Sequence, residues 1–435
     1  MSRASLSGFP ELTPQERIVE QYVLDHVRRT FELHGFAGIE TRAVEPLESL
    51  LRKGETSKEV YVLGRLQDEP GAKRGRELAL HFDLTVPLAR YVLEHTGDVA
   101  FPFKRYQIQK SWRGERPQEG RFREFTQADI DVVGQDTLPF QYEVDVALVM
   151  CEVLAGLPIG GFTMRVNNRK LCDGAYRSMG IEDREGTLRV IDKLAKIGPD
   201  GVKAELSGLG LTPEQIDGAL ALASIQSRDT SFVEQVRALV GSNETLEEGL
   251  AELAAVIEGG DGEHMLADLS IARGLDYYTG TVYETTLDGR EGFGAISAGG
   301  RYDSLVSDGK RTYPGVGLSL GVTRLVAALL ADNTATRQVP TAVLVAVTSE
   351  ESRVASRVVA GALRLRGIPA EVMPSAEKFG KQIRYADRRG IPFVWFPESG
   401  EVKDIRSGDQ VAADPATWSP PEEDLWPRMV ARKQG

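Results

Sequence analysis

The chain has 435 residues, of which 41% are hydrophobic and 27% charged, and it carries a net charge of −12. These are globular values, and the length accommodates two or three domains with a sizeable core. No apolar run approaches a membrane span, and the opening MSRASLSGFPELTPQER lacks the apolar segment of a secretory signal, so no membrane partner is expected. Cys151 and Cys172 are too few for a disulfide framework and have no metal-ligand spacing. A reducing, cytoplasmic setting is the expectation. The acidity argues against nucleic acid being held by the overall field, yet it is unevenly spread. Residues 338–435 hold 14 Lys+Arg and 13 Asp+Glu, leaving 38 and 51 for the rest, so a nucleic acid would need local basic patches.

In chain order, Thr13-Pro14-Gln15-Glu16 reads as a helix start, with Thr as N-cap, Pro at the first helical position and Glu closing a capping box. An apolar stripe from Ile18 to Leu33 follows, Gly35 stops the helix, and Phe36 to Val44 is strand-like up to Pro46. In LALHFDLTVPLAR (78–90), Asp83 and Thr85 stand two apart. A carboxylate beside a hydroxyl suits an ammonium group, and it equally suits a helix cap.

Lys104 to Gly134 reads as two alternating strands joined by a polar loop from Gly114 to Gly120. In the second half, Phe122, Glu124, Thr126, Ala128, Ile130 and Val132 share one face, most of it suited to a core. Arg121, Arg123, Phe125, Gln127, Asp129 and Asp131 share the other. Cations lie at one end and anions at the other, which suits a ligand with a polyphosphate, a flat ring and an ammonium group. The alternative is a charged ribbon on a surface.

Tyr142 to Leu157 reads as a buried helix, and from about Gly174 to Gly262 short amphipathic helices form an inserted module, one starting at the capping box Thr212-Pro213-Glu214-Gln215. DLSIARGLDYYTGTVYETT (268–286) leads into a β-rich run, and GFGAISAGGRYDSL (292–305) carries paired glycines before Arg301. PGVGLSLGVTRLVAALLAD (314–332) is strand, then Gly321, then helix, with Arg324 in the first helical turn, where an anion is favoured. Asn333 to Pro340 reads as a polar linker. Beyond it, 341–347, Ser349–Arg366, 368–373, Glu377–Arg389 and 391–396 alternate as β-α-β-α-β, a small α/β domain with a largely parallel sheet. Its second helix gathers Lys378, Lys381, Arg384, Arg388 and Arg389, either a solvated face or a phosphate contact. The tail after Ala412 is Pro-rich and carries no signal.

Taken together, these stretches resemble class II aminoacyl-tRNA synthetases: the Thr13–Pro46 helix and strand resemble motif 1, Arg113 to Phe125 motif 2, and GVGLSLGVTR motif 3. RGLDYYTGTVYE and AGGRYD resemble the two histidine-specific motifs of the histidyl-tRNA synthetases. The resemblance spans nearly the whole chain. It implies an α+β fold: a catalytic domain (1–332) on an antiparallel sheet, an inserted helical domain (175–262) and a C-terminal α/β anticodon-binding domain (338–435). It implies activation of L-histidine with ATP and Mg²⁺, transfer to tRNA(His), and a homodimer formed through motif 1. By the same resemblance Arg113 contacts the α-phosphate, Phe125 stacks on adenine, and Arg121, Arg123 and Arg324 meet the phosphates. Asp83, Thr85 and Gln127 match positions at the α-ammonium, and Asp131 and Tyr278, with Tyr277 beside it, those at the imidazole. Arg273 matches the catalytic arginine at the reacting carboxylate. No metal cage is readable. Gly114 in motif 2, Thr323 before Arg324, and Ser7-Gly8-Phe9-Pro10 in place of an Arg-Gly-Thr turn depart from the pattern. A non-catalytic relative, the synthetase-like regulatory subunit of ATP phosphoribosyltransferase, is the alternative.

Overall fold

The capping box that opens the first helix forms as its residue types require. In the computed structural model, which describes residues 6–51, 59–65, 77–272, 278–307 and 309–432, Thr13 N donates to Glu16 Oε2 at 2.8 Å and Glu16 N to Thr13 Oγ1 at 3.4 Å. Helix α1 (Pro14–Leu33) follows. By its contacts the chain divides into two units, Met1–Pro10 with Leu24–Ala327, and Glu11–Val23 with Ala328–Gly435.

In the first unit the expected strand over Phe36–Val44 is interrupted. Only β1 (Ala37–Gly38) and β2 (Val44–Pro46) are extended, and they pair with different sheets, because Thr41 between them turns inward to accept from Gln107 at 2.9 Å. Among the described residues helix α2 (Leu47–Leu51), β3 (Val62–Leu63) and β4 (Leu78–Leu80) complete a small three-stranded sheet region, and α3 (Thr85–Glu94) leads to the long hairpin β5 (Phe103–Trp112) and β6 (Glu124–Val133). Buried helix α4 (Gln141–Ala155) and β7 (Phe162–Asn168) follow.

Six helices then run as a block: α5 (Arg169–Ser178), α6 (Arg184–Ile191), α7 (Leu194–Gly208), α8 (Pro213–Ala223), α9 (Phe232–Val240) and α10 (Glu244–Gly259). Their ends are set by polar side chains. Asn168 caps α5, Asn243 caps α10, and Thr212 with Gln215 forms the capping box of α8. A short strand, β8 (Gln226–Ser227), leaves the block to pair with β9 (Met265–Asp268). Strands β10 (Thr281–Leu287), β11 (Ser297–Tyr302) and β12 (Gly315–Gly321) and helix α11 (Val322–Asp332) close the unit.

Among the described residues nine strands form the main sheet, in the order β1-β5-β6-β12-β11-β10-β7-β9-β8. From β5 to β7 every pairing is antiparallel. Register places Arg105 opposite Asp131 and Gln107 opposite Asp129, and on the other side Gly317 opposite Asp131 and Ser319 opposite Asp129. Ala128, Ile130 and Val132, the apolar row of β6, are fully buried. No helix among the described residues is long and apolar enough to cross a membrane.

Among the described residues the second unit holds a five-stranded sheet. Strands β14 (Val343–Val345), β15 (Ala370–Val372) and β16 (Phe393–Phe396) are parallel, alternating with α12 (Arg353–Leu365) and α13 (Phe379–Arg389), while β17 (Glu401–Asp404) and β18 (Gln410–Ala412) continue antiparallel. The expected linker is not one. Within it β13 (Asn333–Ala335) pairs with β19 (Met429–Ala431), which follows the short α14 (Glu422–Leu425). Arg337, 3% exposed, donates to the backbone carbonyls of Val339, Pro340, Asp424 and Leu425. The tail that carried no signal therefore folds back and packs, with Trp418 edge-on to both Phe393 and Trp395. Polarity misleads here because Arg337 satisfies carbonyls that would otherwise need water.

Candidate active site

Strand β6 starts at Glu124, so Arg121 and Arg123 lie in the loop before it rather than on the strand. Both are engaged by protein. Arg121 Nε meets Glu115 Oε2 at 2.7 Å; Arg123 donates to the carbonyls of Glu115 at 3.1 Å and Ser7 at 3.3 Å. The departing segment Ser7–Pro10 has a place of its own, since the Gly8 carbonyl accepts from the amides of Arg123 (2.7 Å) and Glu124 (3.1 Å). Arg113 donates Nε to the Phe82 carbonyl at 3.0 Å, with its guanidinium carbon 5.1 Å from the Phe125 ring centre. Gly114, the other departure in this loop, donates its amide to the Glu59 carbonyl at 2.7 Å. Burial, then the neighbouring Glu115 carboxylate, pushes the Glu59 carboxyl up. Glu115 and Glu59 were not singled out from sequence, where an acidic residue in a polar loop is unremarkable.

Arg324 sits in the first turn of α11 as expected, but its guanidinium is turned to the carbonyls of Gly120 (2.9 Å) and Ala295 (2.5 Å). It ties the loop before β6 to the loop before β11. Thr323 accepts from the Thr126 amide at 2.7 Å, joining α11 to β6.

The other end of the row opens on a small cavity lined by Thr85, Asp129, Asp131, Tyr278, Tyr302 and Ser319, with Gly299, Gly300 and Gly317 among its remaining walls. Asp83, just before α3, accepts from the Val86 amide at 3.1 Å, so the capping alternative describes one of its oxygens. Thr85 opens that helix and reaches the cavity. Gln127 is 7% exposed, and its Oε1 finds no donor among the described residues. Arg273 and Tyr277 lie outside the described residues.

Asp131 is held from two sides. Its Oδ2 is 2.5 Å from Nη2 of Arg105, which is wholly buried, and its Oδ1 accepts from the Tyr302 hydroxyl at 2.8 Å. Gly317 makes room for this: a Cβ there would lie 2.1 Å from Asp131 Oδ1. At Gly300 a Cβ would lie 2.8 Å from the Tyr278 ring. These are close approaches that only glycine permits. Below the glycine pair, Arg301 holds the fully buried Glu143 at 2.9 Å. Arg105, Gln107 and Tyr302 were all missed. The alternation that exposed the β6 row runs equally through β5, and reading it there finds Arg105, Gln107 and Gln109.

The arrangement offers cation-rich loops at one end and a cavity walled by carboxylates and tyrosines at the other, on one antiparallel sheet. A family model described as histidyl-tRNA synthetase matches residues 8–325, and one described as anticodon binding domain matches 342–404. A protein of Micrococcus luteus named histidine–tRNA ligase is 62% identical over 458 aligned positions, covering all of both chains. One so named from Cutibacterium acnes is 57% identical, covering 98% of each. The crystal structure of histidyl-tRNA synthetase from Nostoc sp. PCC 7120 is 36% identical, with a TM-score of 0.83 over 94% of this chain and 96% of that one. The fold is that of a class II aminoacyl-tRNA synthetase with an anticodon-binding domain, and the chain belongs to the histidyl-tRNA synthetase family. The enzymes of this family use ATP to join histidine to tRNA.

Gly317→Ala should displace the Asp131 carboxylate or part β6 from β12, destabilising the fold by about 1–3 kcal/mol. Urea unfolding measures this. An unchanged midpoint with an unchanged Asp131 conformation in a crystal structure would show that the glycine is not required.

Proposed function

We propose that the row from Arg113 to Asp131 performs the two half-reactions of the family in the following way. A carboxylate oxygen of histidine attacks the α-phosphorus of ATP; the bond to the bridging oxygen breaks, pyrophosphate leaves, and histidyl-adenylate remains. The terminal ribose hydroxyl of tRNA(His) then attacks the carbonyl carbon, loses its proton, and AMP leaves. Arg113, Arg121, Arg123 and Arg324 take the phosphate end, Phe125 stacks on adenine, and Arg273 bears on the reacting carboxylate and α-phosphate. Asp83, Thr85 and Gln127 take the α-ammonium, and Asp131, Tyr277 and Tyr278 the imidazole side.

The observation that carries this reading is the cavity shared by Thr85, Asp131 and Tyr278 on the strand that begins beside Phe125 and Arg113. Arginine suits the phosphate end because its planar fork binds oxyanions and stays charged. The guanidiniums of Arg121, Arg123 and Arg324 would exchange their present protein acceptors for phosphate oxygens when ATP binds. Mg²⁺ would arrive with the triphosphate. The high identity to proteins named histidine–tRNA ligase favours catalysis over a regulatory role.

The test is histidine-dependent exchange of pyrophosphate into ATP, run with each amino acid in turn. Histidine alone should support it. Arg273→Ala and Arg113→Ala should each lower the rate on the order of 10²–10³-fold with little change in thermal stability. Exchange within a few-fold of the parent would remove the residue from the chemistry.

The domain reading places catalysis in 1–332, with the helical insertion at 175–262, and tRNA reading in 338–435. On α13, Arg389 is taken by Glu371 at 2.5 Å and Lys381 by Glu377 at 3.0 Å, while Arg384, Arg388 and the N-cap residue Lys378 stay exposed. These three are the proposed phosphate contacts. Replacing all three by alanine should weaken tRNA binding and flatten its salt dependence by about 0.7–0.9 per lost contact, leaving exchange unchanged. An unaltered salt slope would assign the helix to the solvated face.

The Thr13–Pro46 helix and strand are proposed as the twofold interface of a homodimer, and the compartment as the cytoplasm. Sedimentation at micromolar concentration should give a dimer. A fully active monomer would reject the interface.

A further inference from the structure

One group on the cavity-facing row has no part in these assignments. Asp129 stands between Gln127 and Asp131 on β6, is 2% exposed, lines the cavity, and its Oδ1 has no donor among the described residues. A buried carboxylate oxygen left without a donor is costly, and an N–H donor supplied by a ligand would remove that cost.

Its surroundings decide how readily it ionises. Opposite it on β5 is Gln107, with Arg105 one pair along; on its own strand is Asp131; on β12 is the Ser319 hydroxyl. Asp83 bears on it from the segment before α3, and the acidic group that α4 buries, Glu143, is occupied by Arg301 at 2.9 Å. One buried guanidinium thus stands among three carboxylates, and it lies 2.5 Å from Asp131. Burial pushes the Asp129 carboxyl up to about 7, against the pull of Arg105 and Ser319 and with the help of Asp131 and Asp83.

We propose that Asp129 is a specificity-determining residue of the histidine pocket, receiving a substrate N–H as the ionised carboxylate, and that Arg105 is the positioning residue that holds Asp131 and Asp129 for the ligand. This rests on the histidine-activation reading. The sign follows from linkage. A ligand that selects the ionised form binds best above the free enzyme's pKa and loses up to tenfold per pH unit below it. The profile of kcat/KM reports the free enzyme. It should therefore climb through about pH 7 and level off above.

The experiment is pyrophosphate exchange with the full-length enzyme at pH 5.5 to 8.5, varying histidine at saturating ATP. Imidazole of free histidine titrates near 6.5, so each variant is compared with the parent over the same buffers, cancelling the substrate's own ionisation. Asp129→Asn should lower kcat/KM for histidine at least tenfold at pH 8 and erase the rise near pH 7, with KM for ATP unchanged. Ser319→Ala, a milder change, removes a group that favours the ionised form and should move the midpoint upward. Arg105→Leu should move it the same way. Parent-like profiles in Asp129→Asn and Ser319→Ala would overturn the proposal, as would an equal loss of ATP affinity. If the parent shows exchange with no rise near pH 7, the Asp129 inference alone falls. If histidine supports no exchange at any pH, the activation reading falls and takes this one with it.

Discussion

A guanidinium wholly removed from water, 2.5 Å from a carboxylate on the next strand, is the constraint around which the candidate site is built. Burying either charge alone would cost several kcal/mol, so Arg105 and Asp131 are only tenable together. Their meeting requires that β5 and β6 pair in one register, because a slip of one residue would send each to the opposite face. It also requires space on the other side of β6, which Gly317 leaves for Asp131. The Tyr302 hydroxyl engages the remaining carboxylate oxygen and so links β11 to the same point. Four adjacent strands, β5, β6, β12 and β11, are thereby committed to one arrangement by a polar contact.

The end of the row proposed to take the phosphates is organised differently. Arg121 and Arg123 sit in a loop and Arg324 in the first turn of α11, and each is restrained by backbone carbonyls or by Glu115 rather than by a buried partner. Contacts of this kind can be exchanged for phosphate oxygens at modest cost, since one set of charge-assisted bonds replaces another. A pocket held by buried polar contacts and loops with exchangeable contacts suit the small side chain and the polyphosphate proposed for them. Selecting an imidazole needs polar groups that cannot move away from an ill-matched guest.

Much of the fold was legible because local patterns agreed with the tertiary outcome. The capping boxes at Thr13 and Thr212 form as their spacing requires, α4 is buried as its apolar run demands, and the alternating parallel elements of the second unit appear in order. The segment 333–340 and the tail beyond Ala412 were not legible. Their order depends on Arg337 satisfying four carbonyls and on β13 pairing with β19 nearly a hundred residues away. Neither leaves a periodic trace in composition.

The alternation in β6 by itself determined that Gln127, Asp129 and Asp131 share a face, and the motif resemblance pointed to the family that the comparisons show and to the residues proposed around its ligands. Only the tertiary structure decided what holds those residues. Arg105 is an ordinary surface-type residue in isolation, and it becomes the centre of the site because strand pairing sets it opposite Asp131 in a place without water. Sequence fixes a side chain's direction along a strand through the backbone's twofold repeat. Which partner it meets, and in what dielectric, depends on strands brought together from distant positions in the chain.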